Sequence, residues 1–179
     1  MASFVERMVG AAKLDARTFE EVEADPGSMG QAIGVVLLSS LAAGIGSITL
    51  LGAGGLLIGL IAALVGWFIW AAIVYLIGTK LLPEPQTKAD VGQLLRTIGF
   101  SSSPGIIRVL GIIPGLQMIV SLIAGVWMLA AMVIAVRQAL DYQSTLRAVG
   151  VCFIGWILQV IVIAIFYALA GGPAGPPPA

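Results

Sequence analysis

The chain contains no histidine and a single cysteine, Cys152, set in an apolar run. An intrachain disulfide is therefore impossible, and a zinc or haem site built on His and Cys has too few ligands to form. Cys152 reads as a small packing residue, because apolar burial makes a thiol unreactive. Charge is scarce too. Nine Lys+Arg and nine Asp+Glu make up 10% of the 179 residues, against about 25% in an ordinary soluble domain. So few polar groups cannot cover a water-facing surface, which excludes a soluble globular enzyme. A net charge of zero leaves no basic footprint for nucleic acid. An apolar content of 59% excludes a disordered chain. No Ser/His/Asp, Cys/His or paired-carboxylate arrangement is present for catalysis. No Lys-Ser/Thr follows Gly54-Gly55, so this is not a phosphate loop. The expectation is a protein that is not an enzyme and needs no metal or cofactor.

What is there is long apolar sequence. Gln31 to Thr79, Val109 to Val136 and Ala148 to Ala179 are free of charge. A helix needs about 20 apolar residues to cross about 30 Å of hydrocarbon. The expected class is an all-α integral membrane protein. It is read as a five-span transmembrane helical bundle (31–170), with spans near 32–50, 56–82, 91–113, 116–136 and 149–170. The glycine-rich stretch 51–55 divides the first two, and the third carries Arg96, Arg108 and the break Ser101-Ser102-Ser103-Pro104-Gly105. The third segment either spans with a kink at Pro104 or lies in the interface. Charge sidedness favours the span. With five crossings Arg7, Lys13, Arg17, Lys80, Lys88, Arg96, Arg137 and Arg147 gather near one side, as the positive-inside rule requires. The N-terminus is then cytoplasmic and the C-terminus outside. Some 30 mostly polar residues precede the first apolar run, so no secretory signal peptide is expected.

Residues 1–30 read as a cytoplasmic amphipathic segment. Phe4, Val5, Met8, Val9 and Ala12 share one helical face opposite Glu6 and Lys13, which suits a short helix on the membrane surface. Thr18 with Glu21, and Ser28 with Gln31, match capping boxes, and Asp25-Pro26-Gly27 reads as a turn. Residues 171–179 are Gly/Pro-rich and read as a disordered tail.

Functional candidates are few, because no Asp or Glu lies mid-span. Arg108 is the one intramembrane charge, and it reads as a contact for an anion or a lipid phosphate or as a headgroup anchor. Arg137 and Asp141, spaced i,i+4, are expected to pair where the fourth span ends. Trp67, Trp70, Trp127 and Trp156 fall toward mid-span and need acceptors. Gln159, Ser121, Ser39 and Ser40 are the expected partners. Small residues at i,i+4 (Gly30 and Gly34, Ser40 and Gly44, Gly55 and Gly59, Ala62 and Gly66) allow helices to approach closely.

Gly99-Phe100-Ser101-Ser102-Ser103-Pro104 resembles the Gly-aromatic-x-x-x-Pro element of the Yip-one family, the Ypt/Rab-GTPase-interacting membrane proteins. Arg7-Met8-Val9-Gly10, Leu110-Gly111-Ile112-Ile113-Pro114, the run Ala135–Leu140 and Arg147-Ala148 are similar to bacterial members. The resemblance implies five spans, no enzymatic activity and Gly99, Phe100 and Pro104 as structural or interaction residues. It also implies a bacterial inner (plasma) membrane location. The acidic Asp-Leu-Tyr-Gly element of eukaryotic members is absent, which speaks against GTPase binding. The expected function is a scaffold, assembly or interaction partner that contacts membrane lipids and other membrane proteins or itself. The rival is a small-solute channel or transporter subunit, for which a polar cavity at Arg108 is the discriminating feature.

Overall fold

The computed structural model describes residues 2–48 and 54–169, so most of the 51–55 divider and the tail 171–179 lie outside the described residues. All regular structure among the described residues is helical. The chain opens with α1 (Phe4–Ala12) under a capping box: the Glu6 N–H donates to Ser3 Oγ at 3.3 Å and the Ser3 N–H to Glu6 Oε2 at 2.7 Å. It ends where Leu14 adopts φ 63°, with the Leu14 N–H bonded to Ala11 O and the Asp15 N–H to Gly10 O. The reversal starts α2 (Ala16–Ala24), capped by Asp15 rather than Thr18. Pro26–Ser28 forms the expected turn, here 3-10 helical, with the Gly27 N–H on Asp25 Oδ1. Ser28 precedes α3 (Met29–Gly46) but donates its hydroxyl to Val22 O instead of capping.

After α3 come α4 (Gly54–Leu76), a π-helical turn (Ile77–Leu81) and α5 (Val91–Ser101). A 3-10 segment (Ser103–Ile112), α6 (Gln117–Ala139) and α7 (Thr145–Leu169) complete the chain. Among the described residues, four stretches are long and apolar enough to cross a membrane: Pro26–Gly46, Leu56–Leu81, Gln117–Ala139 and Thr145–Val162. The expected third span is not one helix. It is α5 followed by the 3-10 segment, broken at Pro104. Proline has no N–H, so Phe100 O loses its usual helical donor. The Ser103 hydroxyl donates to Phe100 O at 2.7 Å and replaces it. An apolar setting demands such repair, since an orphan carbonyl there is costly.

This broken segment is the hub of the bundle. Leu94 and Ile98 pack with Ala71, Val74 and Ile77 of α4 and its π turn, Val136 and Ala139 of α6 and Val151 of α7. Phe100 packs with Phe19, Val22, Ala32, Val35, Ala131 and Ala135. The segment also runs alongside α3 in the same direction. A Cβ on Gly99 would lie 2.8 Å from Ala32 Cβ, one on Gly105 would meet Ser39 Oγ, and one on Gly46 would fall on the Arg108 carbonyl. From Ala32 to Gly46 is about 21 Å along a helix. These glycines let two backbones lie in contact over that length.

Of the small-residue pairs expected to do this, Gly44 meets Leu56, while Gly30, Gly59 and Gly66 have nothing within 4 Å. Close approach of backbone to backbone uses Gly46, against Arg108 and Gly111, instead.

The N-terminal hairpin, α1 and α2, packs on α3, α5 and α6. The apolar face expected for α1 is split: Phe4 and Met8 pack inward beside Ala11, which lay outside that face, while Val5 and Val9 are exposed.

Candidate functional site

Of the sequence candidates, Gly99, Phe100, Pro104 and Arg108 fall together along the broken segment, between α3 and α6. Gly99, Phe100 and Pro104 are buried and set its path. Arg108 folds back on that path. Its Nε donates to Gly105 O at 3.0 Å, and Nη2 donates to Ser39 O at 3.1 Å and Ser39 Oγ at 2.8 Å. The fold-back needs glycine at 105, since a Cβ there would stand 2.9 Å from Arg108 Nη2. Arg108 lines a cavity of about 240 Å³ with Ala43, Gly46, Ser47, Gln117, Ser121, Gly125 and Met128. Arg108 thus neither lies buried in the core nor extends away from the bundle. It stands at the edge of a recess of mixed polar and apolar lining.

Arg137 and Asp141 do not pair. Helix α6 ends at Ala139, and Asp141 sits at φ 54°, just beyond the cap, so the helical i,i+4 geometry is already lost. The Asp141 N–H bonds Gln138 O and the Tyr142 N–H bonds Arg137 O, completing a Schellman end. Arg137 Nε donates to Tyr142 O at 3.2 Å. Both residues therefore serve the helix end. Tyr142 turns its hydroxyl toward Leu82 O at 2.7 Å and Gly78 O at 3.0 Å, carbonyls at the close of the π-helical turn. Burial pushes its phenol up to about 12.

Two arginines carry more structure than the sequence suggested. Arg7, 2% exposed, donates Nη2 to Glu21 Oε1 and Asp25 Oδ2 at 2.8 Å each. Nη1 donates to Gln31 Oε1 at 3.0 Å. The Arg7 hydrogen bonds hold the Glu21 and Asp25 carboxyls below their ordinary values. Arg96 donates to Val22 O at 3.0 Å and to Glu23 O, bracing the carbonyl end of α2. A usable signal existed for Arg7, which shares a helical stripe with Phe4 and Ala11. Glu23 is desolvated, and its carboxyl is pushed up to about 7, first by that burial and then by the charge of Asp141.

The tryptophans find other acceptors than expected. Trp67 donates to Leu95 O at 3.1 Å, Trp70 faces Met132 Sδ at 3.3 Å, and Trp127 donates to Ala12 O at 2.7 Å. Trp156 is 60% exposed. Among the described residues no group of His, Cys, Asp and Glu could hold a metal ion.

A helical membrane protein with a broken central segment is the class these features define. The family follows from the sequence as a whole: the Yip1 domain model matches residues 15–167, and the chain belongs to that family. Comparisons with curated proteins and with solved structures gave no significant match.

Proposed function

We propose that the protein is a non-catalytic scaffold or assembly partner that works through helix–helix contacts, with itself or with other membrane proteins. The observation that carries this is the outer face of α4. Among the described residues nothing stands within 4 Å of a Cβ at Gly59 or Gly66, and Leu57, Ile58, Ile61 and Val65 are exposed around them. Each glycine inside a helix costs about 1 kcal/mol relative to alanine. Acyl chains give nothing back for that cost, whereas a second helix can approach closely over small residues.

The same reading takes the chain across a bacterial inner membrane five times, N-terminus cytoplasmic and C-terminus outside. The parallel course of α3 and the 91–112 segment supports it, since two neighbours that run the same way require an intervening return crossing. The exposed Val5 and Val9 suit an N-terminal helix in contact with the inner interface. GTPase binding is not part of this reading.

The rival, a small-solute channel or transporter subunit, draws on the Arg108 cavity. Against it stands the packing next to that cavity, where Phe100, Ser101, Ser103, Pro104 and Gly105 are all buried.

Crosslinking in the native membrane, then identification of co-purifying proteins, tests the scaffold reading. A specific adduct through α4, lost in Gly59→Leu, is expected. A lone monomer under gentle conditions counts against it. Single cysteines at Gly54, Gly115 and Ala174 in a Cys152→Ser background test topology. Labelling of Ala174→Cys only from the cytoplasmic side would remove the five-span arrangement.

A further inference from the structure

The geometry points to a phosphate-binding site in the groove between α3, the 3-10 segment and α6, with the Arg108 guanidinium as its anchor. Arg108 is the only charged residue from Thr97 to Val136, and Gln31 to Thr79 holds none. Both helices facing it in the groove are thus uncharged over that stretch. A guanidinium in a low-dielectric setting without a counter-ion attracts one strongly. Its Nε and Nη2 are engaged by Gly105 and Ser39, and Nη1 is the arm that makes none of those three bonds. The two engaged arms hold the fork in place, and Arg108 is a lining residue of the cavity.

The rest of the lining suits an anion. Gln117 and Ser121 add an amide and a hydroxyl. Gln117 is also the first residue of α6, whose N-terminus has no side-chain cap, so its free N–H groups and dipole favour negative charge nearby. The opposing dipole end, the last turn of α3, is blunted. Ser47 donates its N–H and its hydroxyl to Ala43 O and Gly44 O.

The groove opens sideways as well. Ser121 and Gly125 are exposed, and Met118, Leu122 and Val126 beside them on α6 are exposed and apolar. A phosphodiester with acyl chains fits that pairing of a charged recess and an apolar flank. Free phosphate offers the same headgroup chemistry without the chains. The inference is independent of the scaffold reading, because it concerns the α3–α6 groove and not the outer face of α4.

The test uses the full chain in mild detergent with three probes: dioleoyl phosphatidylglycerol, dioleoylglycerol and inorganic phosphate. Native mass spectrometry reads retained lipid, and thermal unfolding reads stabilisation by phosphate. Phosphatidylglycerol is expected to be retained and dioleoylglycerol lost. Arg108→Gln should weaken retention about tenfold, the equivalent of one charge-assisted hydrogen bond. Gly125→Leu should do the same by filling the recess while leaving Arg108 in place, since nothing lies within 4 Å of a Cβ at Gly125. If Arg108→Gln fails to fold, Gly125→Leu decides. Displacement of the lipid by millimolar phosphate, with stabilisation, identifies the free anion as the occupant. Retention against phosphate identifies the lipid. Equal retention of the two lipids without stabilisation by phosphate, or unchanged retention in a folded Gly125→Leu protein, overturns the site.

Discussion

Replacing Arg7 with methionine asks how the N-terminal hairpin is held to the bundle. Methionine keeps much of the apolar stem but removes the charge and every donor. Arg7 is 2% exposed, and its loss leaves Glu21 and Asp25 facing each other without a cation. Breaking a buried ion pair from one side costs about 3–5 kcal/mol. Here the two acids are 39% and 20% exposed, so water recovers part of the loss. The expected cost to α1 docking is about 2–3 kcal/mol. That raises the open population roughly 30- to 150-fold.

Hydrogen exchange of the α1 amides in detergent reads this directly. Adding Glu21→Gln and Asp25→Asn to Arg7→Met should restore much of the protection, because neutral amides no longer repel. The pH dependence has a definite sign. Glu21 and Asp25 titrate below their ordinary values of 4.5 and 3.8 in the folded protein. Their contribution is therefore present above those values and lost as pH falls through the folded ones. Wild-type α1 should open in acid, after correction for intrinsic exchange, and Arg7→Met should lack that response. Exchange in Arg7→Met within about threefold of wild type would refute an ionic latch.

Four further outcomes are expected. Gly46→Val should destabilise the bundle by at least about 2 kcal/mol, because the new Cβ meets backbone that cannot yield. Gly59→Ala should be neutral or slightly stabilising, and mixed-micelle denaturation separates the two. Tyr142→Phe should cost about 1 kcal/mol in the same assay, by removing the hydroxyl from the Leu82 and Gly78 carbonyls. Glu23 is held up at about 7, above its unfolded value, so its contribution to α2 docking is full below about 4.5 and lost as pH rises through 7. Protection of α2 amides should fall between pH 5 and 8, and Glu23→Gln should flatten that fall; an unchanged slope would point to another group.

Much of the fold is legible because lipid imposes a simple demand. Runs without charge mark α3, α4, α6 and α7 to within a few residues, since any ionic group inside them would be costly. Local hydrogen-bond repair is invisible to hydropathy, which is why Pro104 announces a break while the 3-10 course and the Ser103 substitution for a lost N–H do not. The two expected capping boxes, at Thr18 and Ser28, fail for a different reason. Arg7 claims Glu21 and Gln31 across the hairpin, and a local motif carries no sign of such a distant claim. Asp15, with no box at all, caps α2. Asp141 misleads because i,i+4 spacing presumes a helix that has already ended. Arg108 was visible as an isolated charge. Its cavity was not, because Ser47, Gln117 and Ser121 come together with it only in three dimensions.

The docking of the hairpin also dictates an order of assembly. Trp127 reaches back 115 positions to Ala12, and Gln138 reaches back 118 to Glu20. At synthesis rates of about 5–20 residues per second, α1 and α2 wait roughly 6–24 s before those partners exist. Throughout that interval Phe19 and Val22, fully covered in the finished protein, lack Ala131 and Ala135, the α6 wall of their core. Helices α1 and α2 therefore complete their contacts only after α6 has been made, with partners more than a hundred positions further along the chain.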